Sequence, residues 1–530
     1  MLHIKDIELQ IEKDVRSKVV PGFALSIINE KEILYKNAWG KTNWEESTSS
    51  ITADTLFRIG SVSKTLTATL MMKLVQEGVL QLDVPVRKYV PHFTLQHHEA
   101  AETITLRMLL SHTAGLPDGG EVNGPRDQEG WNSYIETIVP NLQLVNPPGA
   151  LYSYGNHAYN IAGYVAQYVC NKPFAELMKE YIFEPLGMNR TMYDPLAAMT
   201  YPLALAHEKT SEGNWNVQHQ FAENITNYPS FFGMSTITDL SRFAIMHVNK
   251  GVLDGKVFLQ SDMIEEMHTK QIDNYTLSEF GSCLGLISEQ EHGYKMLWHS
   301  GAISTYKCFL VFFPEKKIGF LTMATQEYGW SIIEMLIDQF IGPVVEGNLQ
   351  IIEANPACWK EYEGNYLGPK RGFAEITIEE NCLMMEWNGE KMLLEATRND
   401  FYIAHHKEDK ISVGFRVIDN SLKYVIINGS ACKSTTLQRE TVQQTAWTEY
   451  EGTYSNGVFQ FSFTTVEGKP VFVDEEQHFM CTPVTASIFY AGEYGLLRFT
   501  KNAEGVRVLS IQDAWNLEHV EEKTIRRKSE

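Results

Sequence analysis

The 530-residue sequence predicts a multidomain chain, α/β at first and all-β afterwards. An antiparallel sheet flanked by helices should come first, followed by two small antiparallel β-barrels. Three observations predict this. Length is the first, because a single hydrophobic core stops growing at about 250–300 residues. The second is an internal repeat: Trp359-Lys-Glu-Tyr-Glu-Gly-Asn-Tyr366 returns 88 residues later as Trp447-Thr-Glu-Tyr-Glu-Gly-Thr-Tyr454, with six of eight positions identical. The third is a pair of strand patterns at the two ends of the first 345 residues.

The strand patterns are a hairpin and a meander. Phe23–Ile28 and Ile33–Tyr35 flank the turn Asn29-Glu-Lys-Glu. Met296–Trp298, Lys307–Phe313 and Ile318–Met323 form three alternating runs, the last two joined by Pro314-Glu-Lys-Lys. Between them lie helical patterns at 64–77 and 158–170, so one sheet must be built from both ends of this domain. Each copy of the repeat opens a segment of short strands punctuated by Gly, Asn and Asp, such as Ala374–Ile378 and Phe459–Phe463. The expected boundaries are 1–345, 346–440 and 441–530.

Composition excludes several classes of function. Hydrophobic residues make up 44% and charged residues 21%, the proportions of a globular protein. Forty-five basic residues against 66 acidic ones give a net charge of −21, which argues against nucleic acid or an anionic membrane as partner. Charge interrupts the N-terminus and no run of about 18 apolar residues occurs, so a cytoplasmic location is expected. Seven scattered cysteines fit reduced thiols, with no C-x-x-C pair. There is no G-x-S-x-G, H-E-x-x-H or phosphate-binding Gly loop, and no cofactor or metal is expected.

The chemistry centres on Ser61-Val-Ser-Lys64. After it Leu66, Leu70 and Leu74 recur until Gly78, reading as one amphipathic helix. Residues at i and i+3 share a helix face, so the Lys64 amine can reach the Ser61 hydroxyl. Serine needs a base beside it, and lysine serves if burial lowers its pKa to roughly 7–8. The alternative is a helix-capping Ser61 with a solvated Lys64. In Pro148–Asn156, Tyr154 precedes a tight Gly turn and can project its hydroxyl inward. Beside a lysine cation its pKa of about 10 is expected to fall, suiting it to pass a proton to a leaving group. Asn156 offers a donor and an acceptor to a substrate amide. On the first strand of the meander, Gly301 would let a substrate backbone approach closely. There the Ala302 N–H is a candidate oxyanion donor beside that of Ser61, and His299 can polarise the tyrosine or the substrate.

These three clusters, in this order, resemble the serine β-lactamase and penicillin-binding-protein superfamily, in the branch holding class C β-lactamases, D-aminopeptidases and esterases. The family's S-x-x-K corresponds to Ser61 and Lys64, its Y-x-N to Tyr154 and Asn156, and its K/H-x-G to His299 and Gly301. Pro21-Gly22, Leu109–Pro117 and Phe183–Met188 add to the likeness, which spans about residues 15–330. A β-lactamase-like domain followed by two lipocalin-like barrels is similar to the three-domain D-aminopeptidases. That resemblance implies a barrel loop reaching the active site and makes Asp474-Glu475-Glu476 candidates for holding a substrate ammonium; a solvated turn is the alternative. The sequence departs from the pattern twice. His299 stands where class C β-lactamases carry lysine, and Gly155 replaces the usual serine of Y-S-N and should loosen that turn.

The resemblance implies a metal-free serine hydrolase working through an acyl-enzyme. A small or short peptide or amide containing a D-residue ranks first as substrate. A carboxylic ester ranks second, then a β-lactam or D-Ala-D-Ala peptide. The non-enzymatic alternative is a penicillin-type sensor or scaffold that acylates once. A homodimer through the barrels is left open.

Overall fold

The computed structural model describes residues 4–520 except 46–49, 121, 211, 344–349, 408, 420–421, 441, 443–446, 456–459, 475–476 and 513–514. The chain divides into two compact units, Met1–Asp273 with Ser278–Gly347, and Asn274–Leu277 with Asn348–Glu530.

An eight-stranded antiparallel sheet organises the first unit. Its strands are β1 (Gly22–Asn29), β2 (Ile33–Gly40), β3 (Ile272–Asp273), β4 (Gly281–Ser282), β5 (Ile287–Glu291), β6 (Tyr294–Ile303), β7 (Tyr306–Phe313) and β8 (Ile318–Ala324), in the order β2-β1-β8-β7-β6-β5-β4-β3. The pairing of β1 with β8, Phe23 opposite Ala324 and Asn29 opposite Ile318, joins the two ends of the unit. Alternate residues of a strand face opposite ways. Phe23, Leu25 and Ile27 therefore pack with Val311 and Phe313 in one cluster, which Ile7 and Ile11 of helix α1 (Lys5–Arg16) complete. Ala24 and Ile28 turn with Leu310 and Phe312 into the main core on the other face.

That core encloses helix α2 (Val62–Gln76), which differs from the expected amphipathic helix. Leu66, Leu70 and Leu74 are buried as the spacing predicts, but so is the hydroxyl-bearing side. Buried hydroxyls need partners, and backbone carbonyls supply them. Thr65 donates to Gly285 O at 2.7 Å, Thr67 to Pro229 O at 2.7 Å, and Thr69 to Thr65 O at 2.9 Å. A face that reads as polar is thus core. Helix α3 (Asn156–Cys170) packs beside α2 and ends at Asn171, in the left-handed conformation that asparagine tolerates.

The second unit holds two nine-stranded antiparallel meanders, from Gly364–Gly368 to Ser430–Thr435 and from Gly452–Ser455 to Trp515–Val520. In the first, the edge strands Glu390–Leu393 and Glu395–Arg398 are neighbours in the chain, so the sheet returns upon itself as a nearly closed barrel. The second repeats this with edges Gln477–Met480 and Thr482–Thr485. The sequence repeat is also a repeat of contacts. Tyr366 donates to Tyr362 O at 2.6 Å and Tyr454 to Tyr450 O at 2.7 Å. Tyr362 stacks on Phe415 at 4.1 Å, and Tyr450 on Phe499 at 4.6 Å. Among the described residues no helix is long and apolar enough to cross a membrane.

Candidate active site

Ser61 sits where a short strand, Phe57–Arg58, turns into α2. Gly60 makes that turn with φ +51°, a region that side chains with a Cβ rarely enter. A Cβ there would also lie 2.4 Å from Ala302 N. From the facing side, a Cβ on Gly301 would lie 1.9 Å from Ile59 O and 3.0 Å from Ser61 N. The backbone that approaches Gly301 closely is therefore the chain's own nucleophile turn, which corrects the expectation that glycine makes room there for substrate. The contact brings the backbones of Ser61 and Ala302 together. Among the described residues the Ser61 N–H donates to no protein group, because it lies ahead of the first helical hydrogen bonds.

Lys64 lies one turn into α2 and is fully buried. Its Nζ reaches Ser61 Oγ at 3.0 Å, Asn156 Oδ1 at 2.7 Å and Ser230 O at 3.0 Å. All three partners are neutral, so nothing in contact offsets the loss of water. Burial pushes the amine down to about 7, against a smaller upward pull from Asp118. In its neutral form the amine has two protons and one lone pair. Asn156 Oδ1 and the Ser230 carbonyl can only accept from it, so the lone pair is left for the Ser61 hydroxyl. Of the donor and acceptor that Asn156 is expected to offer a substrate amide, the acceptor Oδ1 is engaged by Lys64.

Tyr154 donates to Ser61 Oγ at 2.9 Å, completing a triangle of hydroxyl, amine and phenol. The expected fall in its pKa does not occur. Burial raises the phenol well above its usual value, opposed by the bond to Ser61 and reinforced by Asp118. Tyr154 is neutral at neutral pH and holds a proton to give. The sequence shows the neighbouring lysine but not the burial that lowers that lysine's charge.

His299 is buried on β6, and its Nδ1–H donates to Ser300 O at 2.6 Å. Burial first, and then Lys64, hold it down to about 3, so the ring is neutral with Nε2 as an acceptor. Its ring centre is 6.4 Å from that of Tyr154 and no hydrogen bond joins them, so the expected polarisation of the tyrosine is absent. Asp474 ends the strand Lys469–Asp474 of the second unit, and its carboxylate accepts from Tyr494. Glu475 and Glu476 lie outside the described residues.

The family model for Beta-lactamase matches residues 8–334. The chain belongs to the Beta-lactamase family. Protein flp of Staphylococcus aureus is 23% identical over 342 residues, covering 64% of this chain and 66% of that protein. Penicillin-binding protein 4 of Amycolatopsis lactamdurans is 29% identical over 238 residues, covering 44% of this chain and 61% of that protein. The chain thus spans less than two thirds of the length of these curated relatives. The octameric penicillin-binding protein homologue from Pyrococcus abyssi has a TM-score of 0.57 and 25% identity, covering 82% of this chain and 100% of that one. The crystal structure of SurE gives a TM-score of 0.59 at 22% identity, covering 81% of this chain and 99% of that one, a likeness of fold alone.

This Beta-lactamase family member also uses residues that sequence reasoning missed. Ser230 contributes a backbone carbonyl, which no side-chain pattern reveals, and its hydroxyl donates to the buried Asn160 at 2.6 Å. His112 has φ +57° and lays its ring 4.4 Å from that of Tyr154. Its Nδ1 accepts the Gly155 N–H at 3.2 Å, and burial holds it neutral. The only signal for it was its place inside Leu109–Pro117. Nor does Gly155 loosen the turn. A Cβ there would lie 2.6 Å from Pro117 O, so the missing side chain lets two segments close together.

Proposed function

We propose that the chain is a serine hydrolase that acts through an acyl-enzyme on small amides or short peptides, with D-residue amides first among them. One observation carries the reading: Ser61 Oγ lies 3.0 Å from a buried amine held near neutrality and 2.9 Å from a protonated phenol. In acylation Ser61 gives its proton to neutral Lys64 as Oγ bonds to the substrate carbonyl carbon. The oxyanion lies against the N–H groups of Ser61 and Ala302. Tyr154 protonates the departing nitrogen or oxygen, and its phenolate then recovers a proton from the protonated Lys64 amine, whose Nζ lies 4.9 Å from the Tyr154 ring centre. Water then takes the place of the leaving group, the same groups run in reverse, and Ser61 is restored. Neutral His299 offers Nε2 to a substrate N–H, and Gly301 fixes the position of the turn.

D-residue amides come first because a catalytic part at 1–345 followed by barrels at 346–440 and 441–530 resembles D-aminopeptidases. The same division makes Asp474 a candidate for substrate contact. Esters, β-lactams and D-Ala-D-Ala peptides are the competing substrates, and the octameric Pyrococcus abyssi relative makes self-association a property to measure by light scattering.

The test is a panel of D- and L-aminoacyl p-nitroanilides beside p-nitrophenyl esters, with Ser61→Ala as the blank. Steady turnover lost in Ser61→Ala supports the hydrolase. A single equivalent of product and then nothing identifies a sensor that acylates once. Tyr154→Phe is expected to lower kcat by at least about 100-fold, within the usual range for a general acid. Near-normal turnover in that variant refutes the role given to the phenol.

A further inference from the structure

The Beta-lactamase family member carries one exposed carboxylate at its site that the mechanism above does not use. Asp118 follows the buried turn that ends at Leu116. Its Oδ1 accepts the Gly119 N–H at 2.8 Å and the Asn156 N–H at 3.1 Å. Asn156 in turn gives its own Oδ1 to Lys64 at 2.7 Å, so a single residue separates the carboxylate from the buried amine. The second oxygen, Oδ2, has no protein partner among the described residues.

The departure at Gly155 is what makes this placement possible. Gly155 is extended, with φ −167°, a conformation open to any residue, so its value here is space. A Cβ would lie 2.6 Å from Pro117 O and 3.4 Å from Asp118 Cα. Replacing the usual serine with glycine therefore draws the Asp118 segment onto the Tyr154–Asn156 turn.

The charges around it make the carboxylate distinctive. His112 and His299 are held neutral by burial, Tyr154 keeps its proton, and Lys64 is half-protonated near neutral pH. The field of Asp118 reaches Lys64, Tyr152, Tyr154 and His157. Among the described residues, neither side chain hydrogen-bonded to Ser61 Oγ is a fixed cation.

We infer that Asp118 anchors a primary ammonium on the substrate, carried within one residue of the scissile carbonyl. The α-amine of an unblocked N-terminal residue has that chemistry. The inference rests on the hydrolase reading and narrows it to substrates with a free amine. Oδ2 accepts from the ammonium, while Oδ1 stays held by two backbone N–H groups, so the anchor is in place before substrate arrives.

Asp118→Asn is the informative variant, because its amide oxygen still caps both N–H groups while the charge is gone. For the full-length chain, kcat/KM is measured on D- and L-alanine p-nitroanilide, their N-acetyl counterparts and p-nitrophenyl acetate. The wild-type chain should prefer free amine over N-acetyl, and Asp118→Asn should lose at least about 10-fold of that preference, mainly through KM. Asp118→Glu should recover part of it. A wild-type preference for the N-acetyl compounds overturns the anchor. So does an unchanged ratio in Asp118→Asn, or a collapse in Asp474→Asn alone, even while ester turnover stands. No turnover of any probe and no fluorophosphonate label on Ser61 removes the hydrolase reading and the anchor with it. Should Asp118→Asn fail to fold, salt decides. An exposed carboxylate is screened between 50 and 500 mM salt (Debye length roughly 14 Å falling to roughly 4 Å), so the free-amine preference must fall over that range. A salt-independent preference overturns the anchor.

Discussion

Two buried cations stand three residues to either side of the nucleophile, and they solve burial in opposite ways. Arg58 is pressed between the rings of Phe221 and Phe232, 4.1 and 4.5 Å from their centres, with Glu223 3.7 Å away. Burial lowers it to about 10, while Tyr306, Glu223 and Tyr228 pull upward, so at neutral pH it stays charged. Its Nε and Nη2, and Oε2 of Glu223, have no hydrogen-bond partner among the described residues. Ring faces and a carboxylate hold this pair. Lys64 has three hydrogen bonds and no carboxylate in contact, and its charge becomes optional at about pH 7. Good hydrogen bonding to neutral groups fixes where an amine points, whereas a counter-charge fixes whether it is charged. A base needs the first without the second.

The strongest way to break the contrast is to make the second cation behave like the first. Lys64→Arg puts a group that cannot lose its proton beside Ser61, and kcat/KM should fall about 1000-fold, as for removal of a general base. Retained activity in that variant would falsify the assignment of Lys64 as base. Glu223→Gln attacks the other side by leaving Arg58 without its counter-charge. The expected loss is about 3 kcal/mol of stability, read from denaturant midpoints, because an uncompensated buried charge is strongly destabilising. A midpoint unchanged in that variant shows that the rings alone hold Arg58. Ser230→Ala keeps the carbonyl that faces Lys64 but removes the hydroxyl bonded to Asn160, and about 1 kcal/mol should be lost.

The gentlest probe is pH. Below about pH 7 Lys64 gains a proton, so kcat/KM should rise with pH and level off above that value. Stability follows the same sign. Between about 7 and the ordinary lysine value of 10.5 the unfolded chain binds the proton and the folded one does not, so stability climbs with pH. Lys64→Met should flatten the climb of Tm over that interval, while Arg58, charged throughout the lower part of it, gives no such slope there.

How much of this was legible in the sequence depends on how locally each feature is encoded. Ser61 and Lys64 are one helical turn apart, and that spacing alone puts the amine beside the hydroxyl. Tyr154 and Asn156 were legible as a pair at a Gly turn, though what they do to Lys64 was not. Direction was the failure for Tyr154, because a pKa follows burial and the sequence shows only neighbours. The Ser230 carbonyl, 166 residues from Lys64, has no side-chain signature at all. The role of Gly155 was misread for a related reason, since what a glycine makes room for lies in the Pro117–Asp118 segment. The barrels were visible because the Trp-x-Glu-Tyr-Glu-Gly-x-Tyr pattern encodes a whole contact set, Tyr362 with Phe415 and Tyr450 with Phe499, and recurs with it.

The pairing of β1 with β8 has a consequence for biosynthesis. Residue 23 leaves the ribosome about 300 residues before its partner at 324, and Ser61 emerges long before the strand bearing Ala302. At roughly 5–20 residues per second, the nascent sheet waits on the order of tens of seconds for its central strands. Until they arrive the serine turn, though paired with Gly233–Ser235, lacks the Gly301–Ala302 backbone beside it, so a partly translated chain carries the nucleophile without the oxyanion donor proposed at Ala302.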